Sequence, residues 1–194
     1  MQRTTVSLPI LAPPGAGLPR PELFFARLIF GWTRWRSDRR RATANFSAQR
    51  DAILQQVRTC NPADATQRVL IQRLRGLEDS SRHWSVAMTL DHLRIVNLAC
   101  AGVIEALAAG RIPPGTASTA TVKPQADVDL SVVTAFDQSC RTFQETVAAV
   151  PELATELRYA HPWFGPLDAA GWHVMAGFHM NLHRRQIERI VAGL

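Results

Sequence analysis

Apolar residues return every three to four positions through most of this 194-residue chain, and no segment alternates with period two. The first helical stripe is Phe24, Phe25, Leu28, Ile29, Trp32 and Trp35, trailed by arginines. A second helix is predicted from Ala42 to Val57, with Phe46, Ile53, Leu54 and Val57 on its apolar side and Asn61-Pro62 closing it. A shorter one is predicted from Ala63 to about Leu77, carrying Val69, Leu70, Ile71 and Leu74. Ser85 is placed to cap a long helix that runs to about Ala109 and ends at Gly110. Residues 110–127 hold Pro113-Pro114-Gly115 and a Thr/Ser/Ala run without any period, so they read as a connection. Two further helices are expected, from about Val128 to Val150 and from about Asp168 to Val191.

Four long helices with one long crossover predict an all-α four-helix bundle. A short loop would leave the second and third bundle helices antiparallel, whereas a crossover of this length lets them run parallel. The length suits one domain, expected over 21–194, behind a flexible Pro-rich tail at 1–20. The apolar stretch from Val6 to Leu18 is broken by Pro9, Pro13 and Pro14 and is too short to span a bilayer, so no transmembrane or signal segment is expected.

Charge changes the picture less than its total suggests. The net charge is +6, but ten arginines against Glu22, Asp38 and Asp51 put the whole excess in residues 1–60, and Lys123 is the sole lysine. The basic cluster is confined to Arg34, Arg36, Arg39, Arg40 and Arg41, which reads as a solvated helix face, and no nucleic-acid partner is expected. The aromatic stripe beside it has the composition of a helix lying on an anionic membrane. Packing on the domain, or across a homodimer, is the commoner use of such a face and is the expectation here. Cys60, Cys100 and Cys140 make neither a disulfide framework nor a zinc knuckle, and they suit a reducing cytoplasm.

Candidate chemistry lies in the histidines. His179 and His183 are four apart, so their side chains stack on one helix face and can reach one ion. Met180 follows the first of them, which excludes the His-Glu-x-x-His arrangement of zinc proteases. His92 lies on a small or apolar face of the helix after Ser85 and must point into the bundle. The residues alone leave two readings, three ligands or three hydrogen-bonded core histidines. Trp172 and Gln186 flank the pair at seven-residue steps on the same face, as pocket wall and as a donor to a bound group or an orienter of His183. No catalytic side chain can be assigned, and no Ser-His-Asp or Cys-His arrangement can be placed.

The segments Trp84-Ser85 before a helix, His92 within it, His161-Pro162-Trp163-Phe164-Gly165 and then His179-x-x-x-His183-x-x-Gln186-Ile187 together resemble the DinB superfamily, over about residues 40–194. The resemblance implies a metal-binding four-helix bundle of up-down-down-up connectivity. It implies His92, His179 and His183 as ligands of one divalent ion, often nickel or zinc, with water in the remaining positions. Relatives that are enzymes use a low-molecular-weight thiol, so a metal-dependent S-transferase or hydrolase acting on a small molecule is implied, with a non-enzymatic metal-stabilised binding or sensor protein as the alternative. The chain departs from the pattern at Met88, where many relatives carry Glu, and in its additions at 1–38 and 62–80.

Overall fold

A computed structural model describes residues 10–194, so the tail expected at 1–20 lies partly outside the described residues. Within the described part, the Ala12 amide donates to Asp79 Oδ2 at 2.8 Å and the Gly17 amide to Glu78 Oε1 at 3.3 Å, so this stretch is pinned to the domain. Five helices follow: α1 (Arg20–Arg36), α2 (Arg39–Thr59), α3 (Val86–Ala108), α4 (Val132–Ala149) and α5 (Ala169–Val191). Two small antiparallel ladders accompany them, β1 (Val69–Leu70) with β2 (His83–Trp84) and β3 (Tyr159–His161) with β4 (Gly165–Leu167). At two or three residues each, these strands are too short to leave a period in the sequence.

Three of the four bundle helices, α2, α3 and α5, start on a side-chain cap. Asp38, Ser85 and Asp168 cap α2, α3 and α5 by accepting from the amides of Arg41, Met88 and Gly171. Pairings along the helices fix their directions. Arg50 meets Asp137 and Phe46 stacks on Phe143, while Ser47 meets Gln144, so α2 and α4 run antiparallel. Thr43 meets His173, Gln49 meets Arg184 and Gln56 meets Glu188, so α2 and α5 run parallel. Gly177 leaves room for α2 beside it: a Cβ there would lie 2.7 Å from Asn45 Nδ2.

The connection from α3 to α4 returns along the bundle before α4 begins. Near its end the Gln125 amide donates to Asp91 Oδ2, close to the start of α3. Helices α3 and α4 therefore begin at the same end and lie parallel, and the bundle is up-down-down-up. The core is continuous, with Phe46, Phe136, Phe143, Leu90, Ile104 and Met180 fully buried. Helix α3 is long and apolar enough to cross a membrane, but most of its apolar stretch is buried at the centre of this bundle.

One expectation fails. No helix forms over 63–77: Val69 and Leu70 pair with Trp84 and His83, Ile71 adds a bond to the Arg82 carbonyl, and Gly76 turns the chain at φ 89°. The apolar residues predicted to line a helix instead bury Ile71, Leu74 and Leu77 through an irregular segment. Of the two packings expected for the stripe of α1, the domain does not supply one: its six large side chains stay exposed in the single chain. The buried residue of α1 is Phe30, which stacks on Phe164 at 4.3 Å and meets Phe178 edge-on at 5.8 Å.

Candidate metal centre

His92 projects from the first half of α3 and His179 and His183 from α5, and the bundle brings the three together at the floor of a cavity of about 1240 Å³. Each can offer one nitrogen such that all three lie within 4.8 Å of one another. His92 Nε2 and His179 Nε2 are 3.1 Å apart. The rings of His92 and His183 are centred 4.5 Å apart, and those of His179 and His183 4.4 Å. Trp84, held by its strand, lies nearly parallel to the His183 ring at 6.2 Å and closes one side.

The tautomers follow from the partners. His92 Nδ1 lies 2.6 Å from the Val122 carbonyl, which can only accept, so the proton sits on Nδ1 and Nε2 carries a lone pair. Gln186 Nε2 donates to the Ser81 carbonyl at 2.7 Å, and this bond fixes the amide so that Oε1 faces His183 Nδ1, also at 2.7 Å. His183 therefore carries its proton on Nδ1 as well and turns a bare Nε2 toward the other rings. His179 has no such anchor, and its Nδ1 is buried without a partner. Burial pushes His92 down to about 4 and holds His179 and His183 well below the usual histidine range, with the neighbouring rings adding to the effect. At neutral pH all three are uncharged and in the form that ligates a metal.

Three neutral imidazoles with converging lone pairs cannot satisfy one another, because His92 and His183 have spent their protons elsewhere and His179 can supply only one. A divalent ion that accepts borderline nitrogen ligands fits this donor set, and the two Nδ1 bonds are the outer support that such ligands require. His161 and His173 do not join the cluster. His161 Nδ1 accepts from the amides of Trp163 and Phe164, which shapes the β3–β4 turn that Gly165 completes at φ 73°. His173 bonds Thr43 on the far side of α5.

Trp172 lines the cavity and donates from Nε1 to the Tyr159 carbonyl at 3.2 Å, so its indole is fixed as wall. Gln186 is fully buried and does not reach the cavity; both its polar atoms are committed to His183 and Ser81. Cys100 stands in the cavity wall, but burial pushes its thiol up to about 12, and it offers no thiolate. Sequence reasoning missed Glu78, Lys123 and the Val122 carbonyl. Lys123 Nζ pairs with the buried Glu78 at 2.7 Å and also bonds Ser80 and Ser81, and it lies 5.4 Å from the centre of the Trp84 ring. Its one signal was being the sole lysine of the chain.

The model of the DinB superfamily matches residues 45–187. No curated protein matches the chain. Among solved structures, the crystal structure of TT2238, a four-helix bundle protein, is similar with a TM-score of 0.57 and 21% identity, covering 78% of this chain and 98% of that one. That likeness is one of fold.

Proposed function

The chain belongs to the DinB superfamily, and on that footing we propose that it binds one divalent ion, nickel or zinc, through His92, His179 and His183 and acts as a metal-dependent enzyme on a small molecule. The observation that carries this reading is the triad's position: three uncharged imidazoles converge at the floor of a cavity of about 1240 Å³. Structural metal sites close with four protein ligands, whereas catalytic ones keep a position open. Among the described residues the cluster has three members and faces space large enough for a substrate.

When bound, such an ion supplies Lewis acidity that lowers the pKa of a water or thiol. The residues of this chain provide the setting. Val122 and Gln186 orient two ligands, Trp84 and Trp172 keep the floor apolar, and Cys100 supplies no nucleophile. The nucleophile therefore arrives with the substrate, as a low-molecular-weight thiol passed to an electrophile, or as water in a hydrolysis. A second reading, a metal-stabilised binding protein that recruits a partner through its N-terminal helix, is favoured by the exposed apolar face of α1.

Elemental analysis of the purified protein, followed by a panel of thiols and electrophiles, tests the proposal. One equivalent of nickel or zinc, lost in His183→Ala together with turnover, is expected. Full metal content in a variant with all three histidines replaced by Ala would refute the site. Stoichiometric metal with no turnover across the panel would leave the binding reading in place.

A further inference from the structure

Helix α1 turns its narrow side to the domain and its broad apolar side away. Phe30 packs on Phe164 and Phe178, Arg27 Nε donates to the Trp163 carbonyl, and Arg34 pairs with Asp168 at 2.7 Å. At about 100° per residue, Phe24, Leu28, Trp32 and Trp35 fall within roughly 80° of arc on the side opposite Phe30, and Phe25 and Ile29 widen the stripe. These six side chains are 55–79% exposed. Together they leave a patch on the order of 700 Å², above the several hundred that soluble monomers tolerate.

The charges around the patch select what covers it. Arg20, Arg27, Arg36, Arg40 and Arg41 are exposed along α1 and the start of α2. The two acidic groups of this stretch are already engaged, Glu22 by Arg73 and the Gly76 amide, and Asp38 as the cap of α2. A two-fold pairing of this face with a second copy would set arginine against arginine. A surface that is apolar in depth and anionic at its rim complements both features at once. The Arg36 guanidinium, 5.2 Å from the centre of the Trp32 ring, has the layered order of ring below and cation above that an interfacial helix needs.

We propose that α1 docks the protein on an anionic lipid surface, with Phe24, Leu28, Trp32 and Trp35 entering the acyl boundary and the arginines meeting the headgroups. Phe25 and Ile29 belong both to this face and to the wall of the large cavity, so docking brings the cavity beside the lipid. The docking itself is independent of any metal.

The test is co-sedimentation of the full chain with vesicles of phosphatidylcholine containing phosphatidylglycerol, against phosphatidylcholine alone, at low and high salt. Binding to the anionic vesicles alone is expected, with a blue shift of tryptophan emission and weakening as salt rises. The double variant Leu28→Glu/Trp32→Glu should abolish it. The variant Arg40→Gln/Arg41→Gln, which keeps the apolar face, should weaken it by roughly fivefold per arginine. None of these four side chains contributes to the buried core, so the variants keep the fold and its circular dichroism. No binding to the anionic vesicles, or binding that the Leu28→Glu/Trp32→Glu protein retains, overturns the proposal. So does a dimer in light scattering that this double variant splits, since the face then belongs to a second copy.

Discussion

Replacing Gln186 by Leu removes two bonds at once and separates a packing role from a positioning one. Leu fills a similar volume, so the core loses little apolar contact. It strands two buried groups, the His183 Nδ1–H and the Ser81 carbonyl, each bonded to Gln186 at 2.7 Å in the native protein. Leaving a buried donor or acceptor without a partner costs about 1–3 kcal/mol, so the metal-free variant should unfold about 3 kcal/mol more easily in urea. The second effect concerns the ion. Without Oε1 nothing selects the Nδ1–H tautomer of His183, and losing such an outer partner weakens metal binding roughly 10- to 100-fold. Zinc titration against a competing chromogenic chelator measures this directly. Gln186→Glu, which keeps an acceptor for His183 but sets an oxygen against the Ser81 carbonyl, should lose stability while holding the metal more tightly than Gln186→Leu. A Gln186→Leu protein that loses stability yet binds zinc within a factor of two of the native protein would refute the tautomer argument and leave Gln186 a packing residue.

Lys123→Met should cost about 3 kcal/mol in urea unfolding at pH 7, because it strips the counter-charge from a carboxylate that is 4% exposed. Burial alone would push the Glu78 carboxyl up, but the bonds from Lys123 and Thr119 bring it below its ordinary range, so this pairing stabilises above that range and fades as pH falls. A loss well under half the expected value would mean that Thr119 and the Gly17 amide suffice to hold Glu78. His173 is pushed down to about 4, first by burial and then by Arg39, so it must gain a proton more readily unfolded than folded. Its contribution is complete above about pH 6.5 and is lost toward pH 4, about 2 kcal/mol of it between pH 7 and pH 5. His173→Gln should flatten the pH dependence of unfolding by that amount, and an unchanged slope would show that burial does not hold the imidazole neutral.

The bundle was legible because its helices carry a period and most of them a local start. Ser85 is a cap that can be read from the chain, and the aperiodic run at 110–127 announced a long crossover and with it the parallel pair α3 and α4. What that run does could not be read. It comes back past Asp91 and His92 and presents the Val122 carbonyl to the imidazole, and a backbone carbonyl has no residue type to betray it. The segment at 63–77 was misread for a different reason. Val69, Leu70, Ile71 and Leu74 satisfy a helical period over so short a span that it is indistinguishable from a buried edge, and pairing with residues 83–84 is a tertiary decision. The three histidines were legible as one face each. Their tautomers depend on Val122, Ser81 and Gln186 meeting them from three separate parts of the chain, and only the folded arrangement supplies that.

Helix α1 shows where a periodicity argument stops. The stripe of Phe24, Leu28, Trp32 and Trp35 marks the apolar side of the helix correctly, yet the domain takes the opposite side through Phe30. The spacing of apolar residues tells which direction around a helix is richer in them, and says nothing of which neighbour that direction meets. Here the smaller apolar contribution, one phenylalanine between two aromatic rings with Arg27 and Arg34 anchored beside it, is enough to seat the helix. The larger contribution is then surplus to folding. The face that the domain leaves open is the one proposed above to meet an anionic lipid surface.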